Sequence, residues 1–183
     1  VAVLLMPLSP LHAADDTLDA MLAGLAQHPH GEVSFSEETR SHLLTRPLHS
    51  AGILRFDAPD RLEKQTQSPA AEDLIVAGDT VTIARAHHQS SIRLSDYPEL
   101  SSLLEGIRAT LGGNRASLEQ HFQVTFQPAS SGWELRLAPL PQTTHPGFRI
   151  IVIRGHNDVL ENVTLEQPNG DRTLIALSPP ASG

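Results

Sequence analysis

The chain has 183 residues, a formal net charge of −8 and 39% hydrophobic residues, enough for one domain with a sizeable core. Lys and Arg total 13 against 21 Asp and Glu, which sets nucleic acid aside as a partner and keeps the body of the protein off anionic lipid headgroups. With no cysteine, disulfides, thiolate metal sites and cysteine lipidation of this chain are excluded.

Residues 1–11 are apolar and uncharged, broken by Pro7 and Pro10, and Leu11-His12-Ala13 ends in a small residue before Ala14-Asp15-Asp16. The pattern resembles the back half of a secretory signal peptide cleaved after Ala13. We therefore expect residues 1–13 to be a signal remnant and residues 14–183 to be one exported domain. The other reading is an ordered apolar strand or helix. No other stretch approaches the ~18 apolar residues a membrane-spanning helix needs, so a chain that does not span the membrane is expected.

A first helix is predicted from an Asp16 cap, with Leu18, Met21, Leu22 and Leu25 at i, i+3, i+4 and i+7 spacing. His28-Pro29-His30-Gly31 ends it. Val33 and Phe35 open a strand running towards Ser41. Leu54 and Phe56 alternate with Arg55 and Asp57, and Leu62, Lys64 and Thr66 follow the turn at Ala58-Pro59-Asp60. Residues 74–76 and 81–83 flank a hairpin signal at Ala77-Gly78-Asp79. A second helix is predicted after Tyr97, with Pro98 in its first turn. Its stripe is Leu100, Leu103, Leu104, Ile107 and Leu111, and Gly112-Gly113 stops it. A short third helix starts at Arg115, capped by Asn114, and carries Leu118 and Phe122.

Phe122, Val124 and Phe126 then alternate, as do Trp133, Leu135 and Leu137. Phe148, Ile150 and Val152 alternate with Arg149, Ile151 and Ile153. Val163 and Leu165 pair with residues 173–177 across the turn Pro168-Asn169-Gly170. Turn spacing implies about ten or eleven antiparallel strands, with two helices between the sixth and seventh. Such a meander must close or be covered. A strongly curved sheet wrapped around the apolar helices achieves this, and leaves an apolar interior that suits acyl chains or a closed core.

Gly52-Ile53-Leu54-Arg55-Phe56-Asp57-Ala58-Pro59-Asp60-Arg61-Leu62-Glu63-Lys64, followed by Ser68-Pro69, Asp73-Leu74-Ile75-Val76 and Ala77-Gly78-Asp79-Thr80-Val81, resembles a segment of the LolA family of outer-membrane lipoprotein carriers. Phe35-Ser36-Glu37-Glu38 resembles that family's first strand, and the helices around residues 99–122 fall where it has lid helices. Asn157-Asp158-Val159-Leu160-Glu161-Asn162-Val163 resembles its late hairpin. The resemblance implies a mainly β fold: an unclosed antiparallel β-barrel, or strongly curved sheet, with helices forming a lid over an apolar cavity. It implies a periplasmic carrier in a Gram-negative bacterium, moving a lipoprotein's acyl chains from an inner-membrane exporter to an outer-membrane acceptor, with no cofactor.

One departure suggests a divergent paralogue whose cargo is a lipoprotein, another lipid or a polyene. Many family members carry an arginine just before the turn proline, where it holds the lid; here that residue is Ala58. Arg61, three residues on, either takes over as a lid or rim contact or points to solvent. The candidate cavity and lid residues are Met21, Leu25, Leu54, Phe56, Leu62, Ile75, Ile83, Leu100, Leu103, Leu104, Ile107, Leu111, Phe122, Val124, Trp133, Leu135, Ile150 and Val152. On composition alone these stripes read as core; the resemblance is what turns them towards a cavity. A monomer is expected.

The ten histidines show no metal-ligand spacing: His87 and His88 are adjacent, His28 and His30 straddle a proline, and no HExxH occurs. There is no G-x-S-x-G elbow, and Ser130-Ser131-Gly132 reads as a turn. The pairs Glu37-Glu38 and Glu72-Asp73 read as solvated, as do Arg46, Arg55 and Arg61 near the barrel rim. No catalytic residue and no metal site is therefore assigned. The competing function is a periplasmic regulatory or sensor domain that binds a protein and transfers no cargo.

Overall fold

A computed structural model describes residues 11–143 and 147–180, with only the backbone described for residues 11–16. The described chain opens on α1 (Leu11–Ala26). This helix starts upstream of Asp16, which therefore lies inside it rather than capping it. Ala13 and Ala14 are strong helix formers and carry the helix past that point. Most of the expected signal remnant, residues 1–10, lies outside the described residues. The predicted stripe of α1 (Leu18, Met21, Leu22 and Leu25) is buried.

Six strands follow: β1 (His30–Arg40), β2 (Leu48–Asp57), β3 (Arg61–Ser68), β4 (Glu72–Ala77), β5 (Thr80–Arg85) and β6 (His88–Arg93). A single 3-10 turn at Leu94–Asp96 leads into α2 (Pro98–Leu111) and α3 (Arg115–His121). Then come β7 (Phe122–Ala129), β8 (Gly132–Pro139), β9 (Ile150–His156), β10 (Val159–Glu166) and β11 (Arg172–Ser178). The helices fall between the sixth and seventh strands, as the sequence indicated. Asn114 caps α3, its side-chain oxygen accepting from Ser117 N at 3.0 Å. Phe122, shared in the sequence reading between helix and strand, is the first residue of β7.

All eleven strands form one sheet in the order β6-β5-β4-β3-β2-β1-β11-β10-β9-β8-β7. Consecutive strands pair as antiparallel neighbours, and β1 joins β11 to connect the two runs. β6 and β7 remain as edges among the described residues, so the barrel is unclosed. β6 is the strand that sequence patterning did not locate. It is a polar edge strand with only Ile92 partly buried, so it lacks a hydrophobic alternation to detect. His87 lies in the turn before it and His88 begins it.

The β4–β5 hairpin turns on Gly78-Asp79, with Ala77 paired to Thr80 rather than in the turn. Gly78 sits at φ +55°, a conformation glycine adopts without the Cβ penalty. The predicted pairing across residues 167–171 is present, Val163 opposite Ile175 and Leu165 opposite Thr173.

Register carries one face across the whole sheet, because directly opposed residues point the same way. On the inner face stand Val81 and Ile83 of β5, Leu74 and Val76 of β4, Leu62 of β3, Leu54 and Phe56 of β2, and Val33 and Phe35 of β1. The face continues through Ile175, Val163, Ile153, Leu135 and Phe126. The core forms two clusters on it. The larger joins α1, Ala109 of α2 and Leu118 of α3 to Phe122, Trp133, Leu135, Leu137, Phe148, Ile151 and Ile153. The smaller joins Leu104 to Val76, Val81 and Leu94. α2 therefore bridges the two halves of the curved sheet.

Candidate functional site

Most of the apolar residues expected to line the interior share the inner face or pack on it. Met21, Leu25, Phe122, Trp133 and Leu135 are buried in the larger cluster, with Leu103 and Val124 packed against it. Leu104 is buried in the smaller cluster, with Leu62, Ile83 and Leu100 against it. Leu54 and Phe56 stand on the inner face of β2, opposite Lys64 and Leu62.

Three residues stand elsewhere. Ile75 lies opposite Glu63 and Thr82, on the face away from the helices. Val152 lies opposite Arg136 and Thr164, and Ile150 shares its face; the core side of β9 is Ile151 and Ile153. Both strands contain unbroken apolar runs, so a period of two gives no face in the sequence. Val152 is itself only 4% exposed, so β9 is buried on both sides.

The helix stripe is rotated in a similar way. α2 buries Leu104, Gly106, Ala109 and Thr110, while Ile107 and Leu111 are only partly buried and belong to neither cluster. Gly106 lets α2 lie close to the sheet. A Cβ there would meet Phe122 Cζ at 3.1 Å and side-chain methyls of Ile151 and Leu137 at 3.3 Å. A glycine carries no hydrophobic signal, so patterning missed it.

Between the two clusters, Val33, Leu54 and Ile175 on the inner face are only partly buried, and Val163 next to them packs against the larger cluster. One polar group breaks this surface. Lys64 donates to Glu37 Oε2 at 2.6 Å, Ser50 donates to Glu37 Oε1 at 3.2 Å, and the Lys64 ammonium lies 5.1 Å from the Phe35 ring centroid. Glu37 is thus on the inner face, with its side chain 17% exposed, rather than solvated. A semi-buried pair of this kind adds little net stability, because desolvation offsets the attraction. It does place a polar group beside apolar walls.

A cleft of about 370 Å³ opens where α1 meets the β7–β8 and β9–β10 turns, lined by Met21, Phe126, Pro128, Trp133 and Asn157 among others. Trp133 Nε1 donates to Asn157 O at 2.8 Å, which fixes the indole as one wall. A second hollow, about 410 Å³, is lined mainly by Ser36, Glu38, Ala51, Leu174 and Ala176. Register puts those residues on the outer face, while Glu37 and Ser50 of the inner face complete its lining.

The polar contact that holds α2 comes from a residue the sequence reading passed over. Arg108 Nη2 donates to the carbonyl oxygen of Asp60 in the β2–β3 turn and, at 3.1 Å, to that of Gly78 in the β4–β5 turn. The turn thus holds the helix by its carbonyl groups, and the arginine is supplied from the helix side. Arg61 turns away, to Glu63 at 3.3 Å and Asp57 at 3.9 Å. Arg55 pairs with Glu32 at 2.6 Å and Glu63 at 3.0 Å. A guanidinium reaching two turns that lie far apart in sequence has no local signature, so only the fold reveals it.

The histidines that straddle Pro29 each meet a carboxylate: His28 with Asp158 at 2.6 Å and His30 with Asp57 at 2.9 Å. The His28 hydrogen bond holds the Asp158 carboxyl below the usual carboxylate range. No helix among the described residues is long and apolar enough to cross a membrane.

A family model described as outer membrane lipoprotein carrier protein LolA-like matches residues 11–181. No curated protein matches the chain. Among solved structures, the chain is similar to the LolA superfamily protein NE2245 from Nitrosomonas europaea, at 11% identity and a TM-score of 0.46, covering 88% of this chain and 91% of that one. It is similar to LprF from Mycobacterium bovis at 12% identity and a TM-score of 0.39, covering 89% and 92%. A chain of the Pseudomonas aeruginosa MucA/MucB complex gives 12% identity and a TM-score of 0.45, covering 91% of this chain and 59% of that chain.

Proposed function

This chain belongs to the LolA-like outer membrane lipoprotein carrier family, and on that premise we propose that it carries acyl chains, of a lipoprotein or another lipid, against the inner face of its sheet. The carrier works as a periplasmic monomer, between an inner-membrane donor and an outer-membrane acceptor. The observation that supports this reading is the partly buried apolar strip at Val33, Leu54 and Ile175, between two core clusters bridged by a single helix.

Burying a hydrocarbon chain there is favourable by ~0.8 kcal/mol per methylene. The Lys64–Glu37–Ser50 group offers hydrogen-bonding partners for the polar end of an amphipathic cargo. α2 acts as the lid. Its Arg108 contacts favour the closed state, and cargo competes with that closure, which keeps release possible. No covalent step is involved.

Native mass spectrometry of the protein, incubated with a triacylated lipopeptide and with phospholipids, tests the reading. An adduct that disappears in Leu54→Asp but persists in Ile53→Asp, whose side chain is on the outer face, supports it. A bare mass under all conditions overturns it and favours the protein-binding regulator.

A further inference from the structure

The large apolar residue most exposed among the described side chains is not in the interior. Leu43 is 80% exposed, and Leu48 and Leu44 are 58% and 39% exposed. Leu43 and Leu44 belong to the β1–β2 connection, and Leu48 opens β2 beside it. This loop lies at the far end of β2 from the turn that Arg108 holds. The ten-residue β2 separates them by roughly 30 Å.

The loop is tied down at its base. Asp171 accepts from Ser41 Oγ at 2.7 Å, from His42 N at 2.9 Å and from the His42 ring at 2.8 Å. Leu44 N then closes a turn onto Ser41 O at 3.0 Å. The leucines therefore project from a braced turn.

Charge distinguishes this corner from the rest of the chain. Residues 40–49 hold Arg40, Arg46, His42 and His49 and no acidic residue, in a chain of net charge −8. Glu38 neutralises Arg40 and Asp171 is engaged by His42. Arg46 is exposed and forms no ion pair among the described residues. An anionic surface repels the acidic body, and Arg46 gives this corner a cation to offer it. Three leucines at a convex tip offer a few hundred Å², roughly, well short of the ~800 Å² per partner of a stable protein interface. A lipid bilayer sets no such requirement, since each apolar tip that enters the acyl boundary adds to binding.

We infer that residues 41–47 are a membrane-contact loop, inserting Leu43 and Leu44 into an anionic bilayer surface while Arg46 meets lipid phosphates. The inference goes beyond the carrier reading, because it concerns where the protein touches a membrane whatever occupies the interior.

Flotation of the full chain with vesicles of phosphatidylethanolamine and phosphatidylglycerol, against pure phosphatidylcholine, tests it. The wild type is expected to float with the anionic vesicles. Leu43→Asp/Leu44→Asp should partition at least about tenfold less. Arg46→Ala should lose about threefold, and high salt should weaken the wild type similarly. These side chains are solvent-exposed, so the variants should melt like the wild type; Leu43→Trp provides a second readout, an emission blue shift on vesicle addition. Leu54→Asp, which blocks the interior, should float normally. A wild type that stays with the soluble fraction, or a double aspartate variant that floats unchanged, overturns the inference. So does loss of flotation in Leu54→Asp, which would route vesicle association through the interior. A concentration-dependent dimer lost in the double variant, without vesicle binding, would reassign the loop to contacts between copies of this chain.

Discussion

Gly106 decides how close α2 lies to the sheet, and its effect is steric. Adding a valine side chain where a Cβ already meets three side chains at 3.1–3.3 Å forces repacking. Gly106→Val should destabilise the protein by about 1–3 kcal/mol, read as a lower midpoint in urea. Asp171 acts through charge. The His42 backbone N–H, the His42 ring and the Ser41 hydroxyl hold its carboxyl well below the usual carboxylate range. A carboxyl depressed in the folded state stabilises it fully above its unfolded pKa, near 4, and this is lost as pH falls towards the folded value. Wild type should therefore melt above Asp171→Asn by a constant margin from pH 5 to 7, and the margin should shrink between about pH 4 and 2. A margin independent of pH down to 2 would mean the carboxylate charge is not what holds the loop.

At the scale of elements, α2 is attached rather than embedded. It buries one face, and Arg108 ties it to two turns. Hydrogen bonds from a charged donor contribute about 1.5–3 kcal/mol. Arg108→Met keeps the bulk of the stem and removes both bonds. It should leave the sheet intact, raise amide exchange within α2, and lower global stability by no more than about 6 kcal/mol, the upper figure for two such bonds. Unchanged exchange in α2 would show that packing alone keeps it closed. The location of α2 was legible from Pro98, its leucines and Gly112-Gly113, but its rotation was not. The true contact face centres on Gly106, Ala109 and Thr110, small residues that hydrophobic patterning discounts. The apolar runs of β4 and β9 failed in the same way: a strand without alternation carries no record of its faces. β6 escaped because an exposed edge strand needs no hydrophobic signal.

For the whole molecule, the decisive feature is that β11 sits in mid-sheet, between β1 and β10. The last described strand thus joins the run β6 to β1 to the run β10 to β7, and neither run is complete without it. Deleting residues 172–183 should remove the partner of both β1 and β10. The truncated chain should lose cooperative thermal unfolding, as measured by circular dichroism. A truncated protein that still melts cooperatively would show that one run of strands folds alone.

The sequence by itself determined the kinds of element and nearly all their positions, because alternation, caps and turn residues are local physics written into neighbouring residues. The LolA-like family was legible too, from the segment around residues 52–81. What only the tertiary structure decided depends on residues distant in the chain. The closing of β1 on β11, the choice of inner face where apolar runs are unbroken, the polar contact of Arg108 with two turns, and the bracing of Ser41 and His42 by Asp171 all fall in this class. Each arises from a contact between segments that the chain brings together only once it has folded, so no window of sequence contains both partners.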